Sequence, residues 1–310
     1  MKSKLLSFSI MFFLSLTLFV IKPTTIVAQE HARFRVTLTG FIVNRATTES
    51  VLSTDGAGDE VFVLANFAEL WSSNNIFGAL QRRQSLVYGD ISGHRVQVAV
   101  TGTPLNHAAQ PWVVKAGSAS PSGGLRTNDK FPVAGEDPVI RSEGQLPNAT
   151  TLSRVIPMIL WEGELRRGGQ HPNAVVIIPT IWENDNVPDV LNIWNRQVDN
   201  WIRHFAATSD RFFSPTSRQP LVQQVDTVLS TVPQRNDFDR PIGMDGDAFN
   251  PLAATPNPAT FIPAVMLLTF NSAQEAANSP THGVVEITYR DGQSYGPGSY
   301  TIFLRVDRLP

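Results

Sequence analysis

Residues 298–308 read GSYTIFLRVDR. Tyr300, Ile302, Leu304 and Val306 fall on one side of that run, and Thr301, Phe303, Arg305 and Asp307 on the other. A two-residue period with apolar and polar sides is the pattern of a strand that buries one face. The same alternation recurs at 33–43, RFRVTLTGFIV, where Phe34, Val36 and Leu38 interleave with Arg35, Thr37 and Thr39 until Gly40 interrupts it, as at a bulge. It recurs again at 94–103, HRVQVAVTGT. Segments 59–66 (DEVFVLAN), 261–270 (FIPAVMLLTF) and 283–290 (GVVEITYR) read as further strands. Segments 155–165 (VIPMILWEGEL) and 173–182 (NAVVIIPTIW) flank the turn-rich RRGGQHP, which predicts a hairpin with a long loop. No strand–helix–strand rhythm repeats along the chain, so a doubly wound parallel sheet is excluded. The expected fold is mainly β, an antiparallel β-sandwich.

The period changes at two places. In 188–206, PDVLNIWNRQVDNWIRHFA, Leu191, Trp194, Val198, Trp201, Ile202 and Phe205 recur at helical spacing behind Pro188. In 220–232, PLVQQVDTVLSTV, a second stripe follows Pro220. These predict a two-helix insertion at 187–233, with Trp194 and Trp201 as helix core. Segment 67–88 reads as a short helix and an irregular turn, and 116–154, rich in turn residues, as a long surface segment. Residues 29–310 are expected to form a single domain.

The first residues carry an address. Lys2 and Lys4 precede an uncharged run from Leu5 to Ile21, and Ile26-Val27-Ala28 places a small residue where a signal peptidase cuts. Residues 1–28 therefore read as a signal peptide, and the mature chain, beginning near Gln29, as secreted or periplasmic without a stable membrane span. The chain of 310 residues has no cysteine, which excludes a disulfide scaffold, a thiolate metal site and a thiol nucleophile. A net charge of -2 gives no reason to expect nucleic acid. The partner expected is a protein or glycan ligand.

Acidic residues gather at strand ends: Asp55, Asp59 and Glu60 in TDGAGDE, Glu183 and Asp185 in WENDN, and Asp237, Asp239, Asp245 and Asp247 in DFDRPIGMDGD. Hard carboxylate oxygens on glycine-bearing loops are what calcium takes. Convergence of Asp55, Asp59, Glu183, Asp185, Asp237 and Asp239 would make a calcium site, although none of these runs is an EF-hand loop. The same residue types also serve as ordinary turn formers. A second pair, Glu162 and Glu164 in WEGEL, lies on one strand face about 7 Å apart along the chain. Two carboxylates at such a spacing beside Trp161 and Trp182 define the alternative, a secreted carbohydrate-active hydrolase. The histidines are scattered without HExxH, and GxSxG, GxGxxG and a phosphate loop are absent.

TDGAGDEVFV and VVIIPTIWENDN resemble the acidic loops of the synaptotagmin-type calcium-binding β-sandwich, over under a tenth of the chain and without that family's Asp-Pro-Tyr after Asp59. That resemblance implies calcium held at one end of a sandwich. DGAGDEVF, WEGEL, PTIWE and DRPIG are together similar to pieces of uncharacterised secreted bacterial proteins, a resemblance that implies export and no activity. The function expected is an exported, non-enzymatic binding or structural module with calcium at its acidic loops.

Overall fold

The computed structural model describes residues 30–47, 58–71, 79–89, 113–121, 123–141, 148–168, 173–184, 240–243, 266–291 and 298–310, together with Leu191, Trp194, Asn195, Val198, Asp199 and Ile202. The signal peptide expected at 1–28, the strand expected at 94–103 and the helix expected at 220–232 lie outside these residues.

Among the described residues thirteen strands follow in chain order: β1 (Glu30–Arg45), β2 (Val61–Trp71), β3 (Gln81–Gln84), β4 (Val87–Tyr88), β5 (Val113–Lys115), β6 (Lys130–Phe131), β7 (Val139–Arg141), β8 (Met158–Arg167), β9 (Asn173–Glu183), β10 (Arg240–Pro241), β11 (Met266–Thr269), β12 (Val284–Arg290) and β13 (Ser299–Arg308). They form two sheets. The first runs β12-β13-β1-β6, with β8 also paired to β1; the second runs β10-β9-β2-β4-β5-β7, with β11 on β9 and β3 on β2. All pairings are antiparallel except β4 with β5. The fold is a mainly β, sandwich-like architecture with a small helical insertion.

The alternation read from the sequence becomes the core. Tyr300, Ile302, Leu304 and Val306 of β13 and Phe34, Val36 and Leu38 of β1 face Val61, Val63, Ala65 and Phe67 of β2 and Val175, Ile177 and Ile181 of β9 in one apolar cluster. β1 is the axis of the first sheet. It pairs with β13 on one side and with β8 and then β6 on the other. Its register slips between Leu38 and Gly40, the bulge that the broken alternation predicts. Gly40 is needed there: a β-carbon would stand 2.5 Å from the Phe131 carbonyl oxygen of β6.

The second sheet has no solvent face at its centre. Phe62 stacks on Trp182 at 5.9 Å between centroids, and Trp194 meets Trp182 edge-on at 5.7 Å. Leu191, Trp194, Val198 and Ile202 are helical and buried, the stripe expected from the 3.6-residue period. This insertion is a third layer. It explains why β2 and β9 are apolar on both faces, as strands covered on both sides must be.

Four expectations are corrected. Segments 155–165 and 173–182 do not form a hairpin, because β8 joins the first sheet and β9 the second. β8 carries charge at Glu162, Glu164, Arg166 and Arg167 and suits a half-solvated face; β9 is buried almost throughout, apolar from Ala174 to Trp182 except at Thr180, and suits the covered one. Asn173 pins the crossing between them, accepting from the Arg166 N–H at 2.7 Å and donating to the Glu164 carbonyl at 2.8 Å. The described residues of segment 67–88 form the end of β2 together with β3 and β4 where a short helix was expected, since Phe67–Trp71 pair with Asn173–Ile177; residues 72–78 lie outside the described residues. The strand expected over 261–270 gives way after Thr269 to a helix, Phe270–Ala277, opened by a reciprocal Thr269–Ser272 cap. Segment 116–154 is exposed over much of 132–139 but does not lie wholly on the surface, because β6 and β7 tie it to both sheets and Leu125 and Phe131 are buried. No helix among the described residues is long and apolar enough to cross a membrane.

Candidate functional site

Three of the quoted sequence pieces meet at one end of the sandwich. Gly58 of DGAGDEVF has φ +91°, and a β-carbon on it would stand 2.5 Å from the Leu125 carbonyl oxygen. That turn lets Asp59 exchange two backbone hydrogen bonds with Leu125, at 3.0 and 2.9 Å, just before β2 begins. Val61 stands opposite Glu183, the last residue of PTIWE and of β9. Arg240, from DRPIG, stands opposite the same Glu183 on its other side. Side chains alternate along strands, so Asp59 and Val61 point inward together, as do Ile181 and Glu183.

Asp59 and Glu183 are buried, with 3% and 4% of their surface exposed. Thr47, just past the end of β1, lies between them. Its N–H donates to Asp59 Oδ2 at 2.7 Å, its hydroxyl stands 2.9 Å from Asp59 Oδ1, and the same hydroxyl contacts Glu183 Oε1. The Tyr300 hydroxyl donates to Asp59 Oδ2 from the opposite sheet. Asp291, in the turn between β12 and β13, accepts the Gly243 N–H on Oδ1 at 2.6 Å. Its other oxygen borders Gly298, where a β-carbon would lie 2.4 Å from Asp291 Oδ2 and 2.8 Å from Thr47 Cγ2. A small residue is therefore required between Asp291 and Thr47.

The electrostatics follow from this crowding. Burial pushes the Tyr300 phenol well above its ordinary range, and Asp59, which also accepts its hydrogen bond, Glu183 and Asp291 push it further. Thr47 has one hydroxyl hydrogen and stands against two carboxylates, so it can donate to only one of them. Buried carboxylates are retained only where protons, donors or cations compensate them. This end of the fold thus gathers buried acidic oxygens around two neutral hydroxyl donors, Thr47 and Tyr300.

Of the expected calcium ligands, the fold brings Asp59 and Glu183 together. Asp55, Asp185, Asp237 and Asp239 lie outside the described residues, as do Asp245 and Asp247. In sequence, Asp185 follows Glu183 by two positions, and Asp239 immediately precedes Arg240. Among the described residues no three acidic or histidine side chains are placed to hold a metal by themselves. Sequence reasoning missed Thr47, Asp291 and Tyr300. Asp291 carried the only available signal, an Asp-Gly turn directly after a strand.

WEGEL lies elsewhere, on β8. Glu162 is held by Arg33 at 2.6 Å and Arg35 at 2.8 Å, and Glu164 by Arg166 at 2.6 Å, with His31 at 3.7 Å. Both carboxylates are partners in a charge ladder between β1 and β8. Trp161 turns inward, crosses Gly163, where a β-carbon would lie 2.5 Å from its ring, and donates to Glu69 at 3.2 Å. Trp182 is buried beneath the helical insertion. Neither indole stands beside the glutamates as a sugar platform. No family model, curated protein or solved structure matches this chain.

Proposed function

We propose that this chain is an exported, non-enzymatic binding or structural module that holds a calcium-like cation at the acidic end of its sandwich. One observation carries the reading. Asp59 and Glu183, from two different strands, converge in a buried place around a single hydroxyl, with Asp291 close by. A divalent ion such as calcium takes oxygen ligands of this kind. Further acidic residues adjoin the site in sequence, at Asp185 and Asp239. Export is supported by the basic start, apolar run and small residue at Ala28. The glutamates of WEGEL are engaged by arginines, so the geometry favours binding over glycoside hydrolysis.

The test is calorimetric titration of the exported chain with calcium, for the wild type, Asp59→Asn and Glu183→Gln. Binding that weakens or disappears in both variants supports the reading. Identical binding in all three proteins, or none in the wild type, rejects it. Export has its own check: amino-terminal sequencing of the exported protein is expected to begin near Gln29, and an intact Met1 would contradict it.

A further inference from the structure

We propose that Glu60 and Asn184 hold a second calcium-like cation, on the opposite side of the strand pair from Asp59 and Glu183. The proposal rests on the reading of this end as cation-binding. Each of the two residues follows a member of the inner pair directly in sequence, and strand alternation turns them to the other face, the one that also carries Phe62 and Trp182. They stand side by side: the Asn184 N–H donates to the Glu60 carbonyl at 2.8 Å. The Asn184 side-chain amide donates through Nδ2 to Glu60 Oε2 at 3.3 Å, which fixes its orientation, because a flipped amide would set its oxygen against the carboxylate.

That orientation leaves Asn184 Oδ1 buried with no donor among the described residues, on a residue only 7% exposed. A buried amide oxygen without a partner is costly, and native structures satisfy nearly all such atoms. A water would satisfy this oxygen alone. A calcium-like ion takes it together with the adjoining Glu60 carboxylate, and amide carbonyls with carboxylates are the ligand types that calcium uses.

The experiment is calcium stoichiometry on the full exported chain. The wild type is expected to bind two ions per chain. Asn184→Leu is expected to lose one of them, and Asp59→Asn the other. Asn184→Asp keeps an oxygen at the same place and is expected to retain both ions, the second at an affinity no lower than in the wild type. Unchanged stoichiometry in Asn184→Leu means that a water alone fills the site, and overturns the proposal. Loss of the second ion in Asn184→Asp also overturns it. An ion lost with Asn184→Leu and none with Asp59→Asn would overturn the inner site and leave this one standing. A wild type that binds no calcium removes both.

Discussion

Tyr300 reports on the centre of this fold. Its hydroxyl reaches from β13 across the core to a buried carboxylate at the mouth of β2, so it joins the two sheets through one hydrogen bond. Tyr300→Phe removes one of the donors to Asp59, while those from Thr47 stay. A loss of about 1–3 kcal/mol in chemical unfolding is expected, the cost of a buried acceptor deprived of a partner. Alkaline titration examines the same chemistry. Burial raises the phenols of Tyr88, Tyr289 and Tyr300 above the ordinary tyrosine value. Because each folded value exceeds the unfolded one of about 10, the fold keeps their full contribution below that pH and loses it as pH climbs beyond. Phenolate absorbance of the native protein at pH ~11 should therefore account for no more than one of the four tyrosines, with the others appearing only on unfolding. Early ionisation of three or four would contradict their burial.

Among the elements, the strands with one solvated face were the most legible. In β13, Tyr300 and Arg305 fall on opposite sides in the sequence and in the structure. The partners of the strands were not legible in the same way. β8 and β9 are neighbours in sequence and lie in different sheets, with β8 setting Glu162 and Glu164 opposite Arg35 and Arg33 of β1. Charge complementarity between segments more than a hundred residues apart leaves no trace in local periodicity. The helix Phe270–Ala277 was hidden for another reason: eight residues give a period too little length, and its signal was the Thr269–Ser272 cap. Two substitutions test this level. Trp194→Ala should cost about 3–5 kcal/mol, since it empties the layer over Trp182 and Phe62. Glu162→Gln should cost about 1 kcal/mol or less, because its partner Arg33 is 60% exposed and surface ion pairs are weak. A larger effect of Glu162→Gln than of Trp194→Ala in parallel denaturation curves would reverse this ranking of layer over ladder.

At the scale of the whole molecule, the acidic end is where chain segments from distant parts of the sequence close the sandwich. Thr47 comes from the end of β1, Asp59 from the start of β2, Glu183 from the end of β9, Gly243 from just beyond β10, and Asp291 and Tyr300 from the closing hairpin. The acids at strand ends were legible as candidates, because Asp59 and Glu183 each adjoin a strongly apolar run. Thr47 and Tyr300 were not, because their roles arise only from register between sheets: the strand pattern marks Tyr300 as core and leaves its hydroxyl unassigned. The proposed cation would complete this junction. Thermal melting of the chain in calcium and in chelator decides whether it does. A ligand bound only to the native state raises stability by about 2.7 kcal/mol at a hundredfold excess over its dissociation constant. The melting temperature is expected to be higher in calcium than in chelator, by a margin that shrinks in Asp59→Asn; equal melting in calcium and chelator for the wild type would contradict a cation at this junction.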